Sequence, residues 1–510
     1  MNQKTNWKQF GTLITVFFFW GFVAASNDIL IPVFKKAFNL SQGQSQLVAV
    51  AFYVAYTVGS IIYFVISKSL KGDLLNKIGY KNGIAVGLII SAIGALLFYP
   101  AANNASFTLM LTALFIVGLG FSLQQIAANP LAIVIGDPKT GSQRLSMAGG
   151  INNFGTTIGP LLVSAAIFGS AGSGNASIES VKIPYLVVGA AFILAALFIK
   201  FSTIPNKIDL ETVVGEEEKN ELEQIGSDKA SSPKKITDRA SVFKYPQLIL
   251  GMIGIFVYVG VEVATASNLP EYLREHFEIL NGQLVQKALH LSGAVEFTND
   301  LNAPFISLYW ASLMMGRWTG AVGAFDVNAG VKKILGFLMP YIAFGVFLIV
   351  NKIAKHNITP FYVYAIVIVA MIIGDILSKG NPARMLLIFS LCGITALAIG
   401  MLTTGMVSVF SFISVGLFCS TLWPCIFTLA VAGLGKHTNE GSSMLIMMIM
   451  GGGLIAQLQG ILASPTLLGI QHSYVVGAIC FAYLAFYAIR AKGILKAQGI
   501  DYDKKVSSGH

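Results

Sequence analysis

Apolar residues run along this chain in stretches of roughly twenty, and short clusters of polar and charged residues punctuate them. A helix needs about 20 apolar residues to cross a bilayer. By that ruler, spans are expected near 11–33, 45–67, 80–100, 107–136, 145–169 and 183–203, then near 247–272, 304–325, 331–351, 360–378, 385–404, 406–433, 442–464 and 470–490. The first set holds six spans and the second eight. Residues 204–246 break the pattern with Glu216-Glu217-Glu218, Ser231-Ser232-Pro233 and Lys234-Lys235. This stretch has too little apolar surface to build a core, so it reads as a cytoplasmic linker. The expected organisation is therefore a first unit over 1–203, the linker over 204–246, a second unit over 247–492 and a cytoplasmic tail over 493–510.

Composition supports the same class. Hydrophobic residues make up 55% of the 510 positions and charged residues only 11%, with a mean hydropathy of +0.71. A soluble domain carries about 25% charged residues, so most of this surface is expected to face lipid. The formal charge of +10 invites a nucleic-acid reading, but no basic stripe exists to hold a phosphate backbone. Cys392, Cys419, Cys425 and Cys480 all lie in apolar runs without a CxxC pair or a histidine cluster, which supports neither a metal site nor a disulfide framework. Lys4, Lys8 and the apolar run that follows imitate a signal peptide. The run continues through Asn27-Asp28 to Pro32 and further spans follow, so it is read as the first span.

Loop charges set the orientation. With both termini inside, Lys68, Lys71, Lys77, Lys81, Lys139, Arg144, Lys332, Lys333, Lys379, Arg384 and Lys436 fall on the cytoplasmic side. Lys35, Lys36, Lys182, Arg274, Lys287, Lys352 and Lys355 fall outside. That asymmetry follows the positive-inside rule, and the expected location is the cell inner membrane.

The two sets also echo each other. The fourth span carries Asn129-Pro130 and ends at Gly136, before Lys139 and Gly141-Ser142; a late span carries Trp423-Pro424 and ends at Gly435, before Lys436 and Gly441-Ser442. If these helices are equivalent, the second set holds two surplus spans, and 331–378 is the expected extra hairpin. An inserted pair leaves every later loop on its original side. The fold expected is all-α and polytopic, two six-helix halves with an extra two-helix hairpin and about 14 spans. That is the outline of the major facilitator superfamily, whose site lies at the midplane between halves.

Ionisable residues inside spans are costly and are usually functional. Asp28 lies in the first span. Burial favours the neutral form of a carboxylate, so Asp28 is a candidate to exchange a proton as access alternates; the alternative is a structural hydrogen bond to a neighbouring helix. Glu262, in the seventh span, could accept hydroxyls, carry a second proton, or pair with Arg317. Gly316-Arg317 lies toward the inner end of its span, where a gating or structural salt bridge is expected. Neutral polar residues inside spans are Asn27 in the first, Gln124, Gln125 and Asn129 in the fourth, Asn152 and Asn153 in the fifth, and Gln457 and Gln459 late in the chain. Residues 125 and 129 are four apart and share a helix face. Amides suit a ligand whose hydroxyls both donate and accept, and Trp20, Tyr258, Tyr309, Trp310 and Trp423 offer flat faces for the apolar side of a pyranose. The glycines near 149–159 and 451–453 are expected to let helices approach closely.

Several strings together resemble the fucose–galactose–glucose:proton symporter family of the major facilitator superfamily. They are Asn27-Asp28-Ile29-Leu30-Ile31-Pro32, Gly79-Tyr80-Lys81, Gln125-Ile126-Ala127-Ala128-Asn129-Pro130, Asn152-Asn153-Phe154-Gly155, Tyr258-Val259-Gly260-Val261-Glu262-Val263, Gly316-Arg317, and Trp423-Pro424 through Gly433-Leu434-Gly435-Lys436-His437-Thr438 to Gly441-Ser442-Ser443. The likeness spans nearly the whole chain apart from the linker, the 275–303 loop and the extra hairpin. It implies a secondary active transporter that imports a monosaccharide by proton symport, with Asp28 as the proton-binding aspartate. Gln125 stands where the fucose-permease pattern has glutamate, Ala25 where it has Asn and Gly149 where it has Gln. Asn152 is retained, and Trp423 takes the aromatic place before the proline. These departures point to a glucose- or galactose-type hexose, with N-acetylglucosamine, mannose or fucose as rival cargoes and sodium as the rival coupling ion. A non-transporting sugar sensor is the reading from another class, and the linker of roughly 40 residues and short tail argue against it. The reading involves no cofactor or metal, a monomer in the lipid bilayer and no nucleic acid. It is not an enzyme, because no nucleophile–base pair appears.

Overall fold

A computed structural model describes residues 5–70, 74–136, 141–168, 178–207, 241–280, 283–286, 303–322, 327–434 and 437–503. The described part of each expected span is mainly helical. Among the described residues, twelve helices are long and apolar enough to cross a membrane: α1 (Trp7–Ala37), α2 (Gln42–Ser69), α3 (Tyr80–Asn103), α4 (Phe107–Ala132), α6 (Ile178–Lys200), α7 (Pro246–His276), α9 (Gly330–Ile353), α10 (Thr359–Ser378), α11 (Pro382–Leu402), α12 (Gly405–Val431), α13 (Gly441–Leu462) and α14 (Gly469–Ala497). Two further long helices, α5 (Gly141–Phe168) and α8 (Ala303–Ala321), complete the set in chain order. Both are more polar because they face protein rather than lipid. The buried face of α5 includes Asn153, Thr156 and Thr157, and all of α8 from Ala303 to Gly316 is buried.

Helix ends depart from the apolar runs in instructive ways. α1 continues through Pro32 to Ala37, which puts Lys35 and Lys36 in its last turn rather than in a loop. Proline is tolerated there because neighbouring helices satisfy the freed backbone groups, and cations suit a helix C-terminus. α14 runs to Ala497, five residues into the stretch expected as tail. α12 breaks at Ser420-Thr421, just before Trp423-Pro424, where proline cannot continue the hydrogen-bond ladder. Arg144 is not a loop cation: it is buried in α5, and its Nε donates to the Ala132 carbonyl at the end of α4 at 3.1 Å. Most of the expected linker, and residues 287–302 of the loop after α7, lie outside the described residues. That loop begins as a short antiparallel hairpin, β1 (Phe277–Leu280) with β2 (Gln283–Gln286).

Packing sorts the helices into two groups. In the first, α1 lies along α5, and α3 and α4 pack on each other, with α2 on α4 and α6 on α3. In the second, α7 is central, packing against α12, α13 and α14, while α11 packs on α12 and α14. Two long seams join the groups, α5 with α8 and α2 with α13. Small residues make the tight approaches possible. A methyl group at Gly159 would meet the Phe22 carbonyl at 2.5 Å, and at Gly451 there is no room for one against the Phe256 carbonyl.

The hairpin α9–α10 sits outside this arrangement. α9 packs along α8, and an apolar recess of about 300 Å³ lies between Ile151 and Phe154 of α5, Trp318 of α8, and Val346, Ile349 and Val350 of α9. Ile366, Ile373 and Ile376 of α10 are more than half exposed, as are Ile183, Val187, Leu194 and Phe198 of α6. Exposed apolar rows on helices with buried polar faces are the signature of a chain solvated by lipid.

Candidate functional site

The centre of the molecule is polar, and α1 supplies its first carboxylate. Asp28 is 4% exposed, and its Oδ2 accepts a hydrogen bond from the Trp310 indole of α8 at 2.9 Å. Asn27 beside it is equally buried, and neither atom of its amide has a partner among the described residues. A buried amide without partners costs about 1–3 kcal/mol for each unmade bond, so such a group is a natural recipient for a polar ligand or water.

α2 and α4 add a second wall. Gln125 Nε2 donates to the Tyr56 hydroxyl at 3.3 Å, and the Tyr53 and Tyr56 rings stack with centroids 6.2 Å apart. Asn129, one turn on, is half-buried and makes no side-chain hydrogen bond among the described residues. Gln124 points elsewhere. Its Oε1 accepts from the Trp20 indole at 2.8 Å and its Nε2 donates to Ser91 at 3.0 Å, which ties α1, α3 and α4 together.

The third wall is α7 with α8 and α12. Arg317 Nη2 donates to the Tyr258 hydroxyl at 3.4 Å, and that hydroxyl also faces the Glu262 carboxylate. The alternative of a direct Glu262–Arg317 pair is not realised: the tyrosine hydroxyl stands between them, and no nitrogen–oxygen contact of 4.0 Å or less joins them. Arg317 Nε has no partner, and across the seam a methyl at Gly149 would come within 3.3 Å of Nη1. Gly316 leaves no room for a side chain against Ser420. The Tyr309 hydroxyl donates to the Glu262 backbone carbonyl at 2.6 Å. The Trp423 ring lies 6.1 Å from that of Tyr258. Tyr53 and Tyr309 each lie within electrostatic range of both Asp28 and Glu262, so the two carboxylates belong to one region of the interior.

Other sequence candidates fall elsewhere or are already engaged. Asn152 Nδ2 donates to the Phe17 carbonyl of α1 at 3.0 Å, which spends its amide on the α1–α5 contact. The Asn153 side-chain nitrogen is buried without a partner, while its backbone carbonyl accepts from Thr156 and Thr157. Gln457 is half-buried and makes no hydrogen bond among the described residues, and its neighbour Gln459 is buried with both amide atoms unpartnered.

One feature was not anticipated from the sequence. At the end of the bundle where α1 finishes and α2 begins, Lys35 Nζ pairs with Glu271 of α7 at 2.7 Å, and Arg274 pairs with the same carboxylate at 2.6 Å. Gln42 accepts from Lys35 at 3.0 Å and donates to Asn268 at 2.9 Å, and Gln46 donates to the Ser267 carbonyl at 3.2 Å. These bonds tie the ends of α1 and α2 to α7. The signal was available, because Glu271 and Arg274 are three apart on a helix and Lys35 ends the first span, but only the register of α1 against α7 makes them partners.

Residues 10–457 match the sequence profile described as Major Facilitator Superfamily. A glucose/galactose transporter of Brucella abortus is 32% identical over 493 residues, covering 96% of each chain. An L-fucose-proton symporter of Escherichia coli is 26% identical over 503 residues, covering 94% of this chain and 92% of the relative. Among solved structures, a Major Facilitator Superfamily transporter, FucP, in the outward conformation aligns over 94% of this chain and 98% of its own, with a TM-score of 0.59 and 24% identity, which is a likeness of fold.

Proposed function

The chain belongs to the Major Facilitator Superfamily, and we propose that it is a secondary active transporter importing a hexose with a proton by alternating access. The observation that carries this reading is the burial of Asp28 in the contact between the two helix groups, in a chain related along its whole length to a glucose/galactose transporter. In this reading the protein is a transporter and not an enzyme. It sits in the inner membrane with both termini cytoplasmic. Its halves are 1–203 and 247–492, joined by the cytoplasmic linker 204–246, with the hairpin near 331–378 as an addition to the second half and 493–510 as the tail.

The roles follow from the chamber. Asp28 takes up the proton, and Glu262 is the second carboxylate within reach of it. Asn27, Gln125, Asn129 and Trp423 provide the sugar-facing surface, the amides matching hydroxyls and the indole packing the apolar side of the ring, while Asn152 serves the α1–α5 contact. Arg317 and Gly316 hold α8 against α5 and α12. The Lys35–Glu271–Arg274 cluster closes the periplasmic end, and rocking of the halves about the midplane opens it.

Uptake of labelled glucose into cells expressing the protein, competed by a sugar panel, tests this reading. Glucose and galactose should compete ahead of fucose, mannose and N-acetylglucosamine, and a protonophore should abolish accumulation while removal of sodium leaves it intact. Accumulation that survives the protonophore and requires sodium would overturn proton coupling. Failure of every sugar to compete would overturn the cargo.

A further inference from the structure

Asp28 and Trp310 lie 282 positions apart in sequence, yet one hydrogen bond of 2.9 Å joins them. Each is 4% exposed. Asp28 belongs to α1 in the first helix group and Trp310 to α8 in the second, so the bond crosses the interface that must rearrange during transport. Among the described residues Trp310 is the one side chain that hydrogen-bonds Asp28. The other titratable groups facing the carboxylate are Tyr53 of α2 and Tyr309 of α8. The Tyr309 hydroxyl is committed to the Glu262 carbonyl. The Trp310 ring is itself packed edge-on against Tyr309, with centroids 5.4 Å apart, so it is held in place rather than presented as a stacking face.

An indole N–H only donates, and a hydrogen bond to a charged acceptor is roughly twice as strong as one between neutral groups. The strength of this link therefore depends on whether Asp28 carries a proton. Building on the reading of Asp28 as the proton-binding group, we infer that Trp310 is a positioning residue that makes the protonation state of Asp28 felt by the opposite half of the carrier. With the periplasmic end closed, the indole grips the ionised carboxylate across the interface. A proton on Asp28 weakens the grip, so movement of the halves and movement of the proton are linked through one side chain. Phenylalanine at this position keeps most of the ring and removes the donor.

The test is Trp310→Phe in proteoliposomes, with two readings from one preparation. Sugar counterflow at equal pH should stay within about threefold of the parent, while accumulation driven by a pH gradient and the proton uptake that accompanies sugar entry should fall at least tenfold. A parallel loss of counterflow and accumulation would reduce Trp310 to a packing residue and overturn the inference, as would accumulation like the parent's. Asp28→Asn run alongside separates the two levels. If Asp28→Asn accumulates sugar normally, the underlying reading of Asp28 fails; if it does not while Trp310→Phe does, only the role of Trp310 fails. Should Trp310→Phe not fold, the five indole N–H resonances of ¹⁵N-labelled protein serve instead. One of them should move with pH in the parent and stay fixed in Asp28→Asn. The absence of any such resonance contradicts the inference.

Discussion

Gln124 and Gln125 are neighbours in sequence with the same chemistry, and the helix sends them to different work. Successive residues on a helix are about 100° apart. Gln124 therefore turns into the packing of α1 and α3, where Trp20 and Ser91 occupy its amide, while Gln125 faces Tyr56 in the central chamber. Nothing in the local sequence separates the two. Gln125→Ala should weaken sugar binding roughly 5- to 150-fold, the equivalent of a lost buried partner at about 1–3 kcal/mol, with expression unchanged. Isothermal titration of the purified variant measures it, and parental affinity would move the sugar off this wall. The same reasoning distinguishes Asn152, whose side-chain nitrogen is already engaged with the Phe17 carbonyl. Asp28 was legible because a carboxylate in mid-span is rare and demands a reason. Its partner Trp310 was not, because an indole in an apolar run reads as one more hydrophobic residue until the facing helix is known.

Among helices, apolar run length gave the spans, since lipid imposes it. The end contacts were hidden because they depend on register between helices distant in sequence. The Lys35–Glu271–Arg274 cluster is the clearest case. Glu271 is buried, while Arg274 is about half exposed, so the Lys35 pair across the interface carries more weight than the pair within α7. Glu271→Gln removes the charge that holds Lys35. Breaking a buried pair costs up to about 3–5 kcal/mol, and partial exposure of Lys35 reduces that figure. The variant should populate the state open at this end. A cysteine replacing Gln46, which is fully buried in the closed arrangement, should then react with a membrane-impermeant maleimide at least five times faster in Glu271→Gln than in the parental background. Equal rates would show that the ion pair does not hold the gate. The arrest of α12 before Pro424 was readable from the proline itself; the burial of Arg144 was not, because its anchor is the carbonyl end of another helix.

Taken as a whole molecule, the protein is a lipid-solvated bundle whose polar residues converge where two helix groups meet. The hairpin α9–α10, proposed as an addition to the second half, packs along α8. If both termini are cytoplasmic, as proposed, a reporter inserted near His356 should map to the periplasm and one near Gly380 to the cytoplasm; the reverse at either point would break the proposed topology. The proposed division into halves rests on the linker's composition and on the paired proline-containing helices, whereas the seams α5–α8 and α2–α13 could be found only in three dimensions. Transport by the proposed mechanism turns on coupling through Asp28. Asparagine at this position keeps the shape of the side chain and removes its charge, so reconstituted Asp28→Asn should exchange sugar by counterflow yet fail to concentrate it when an inward proton gradient is imposed. Sugar accumulation in such proteoliposomes is the deciding measurement. No accumulation above equilibrium, with exchange still measurable, is the result this account predicts; accumulation matching the parent protein would contradict it.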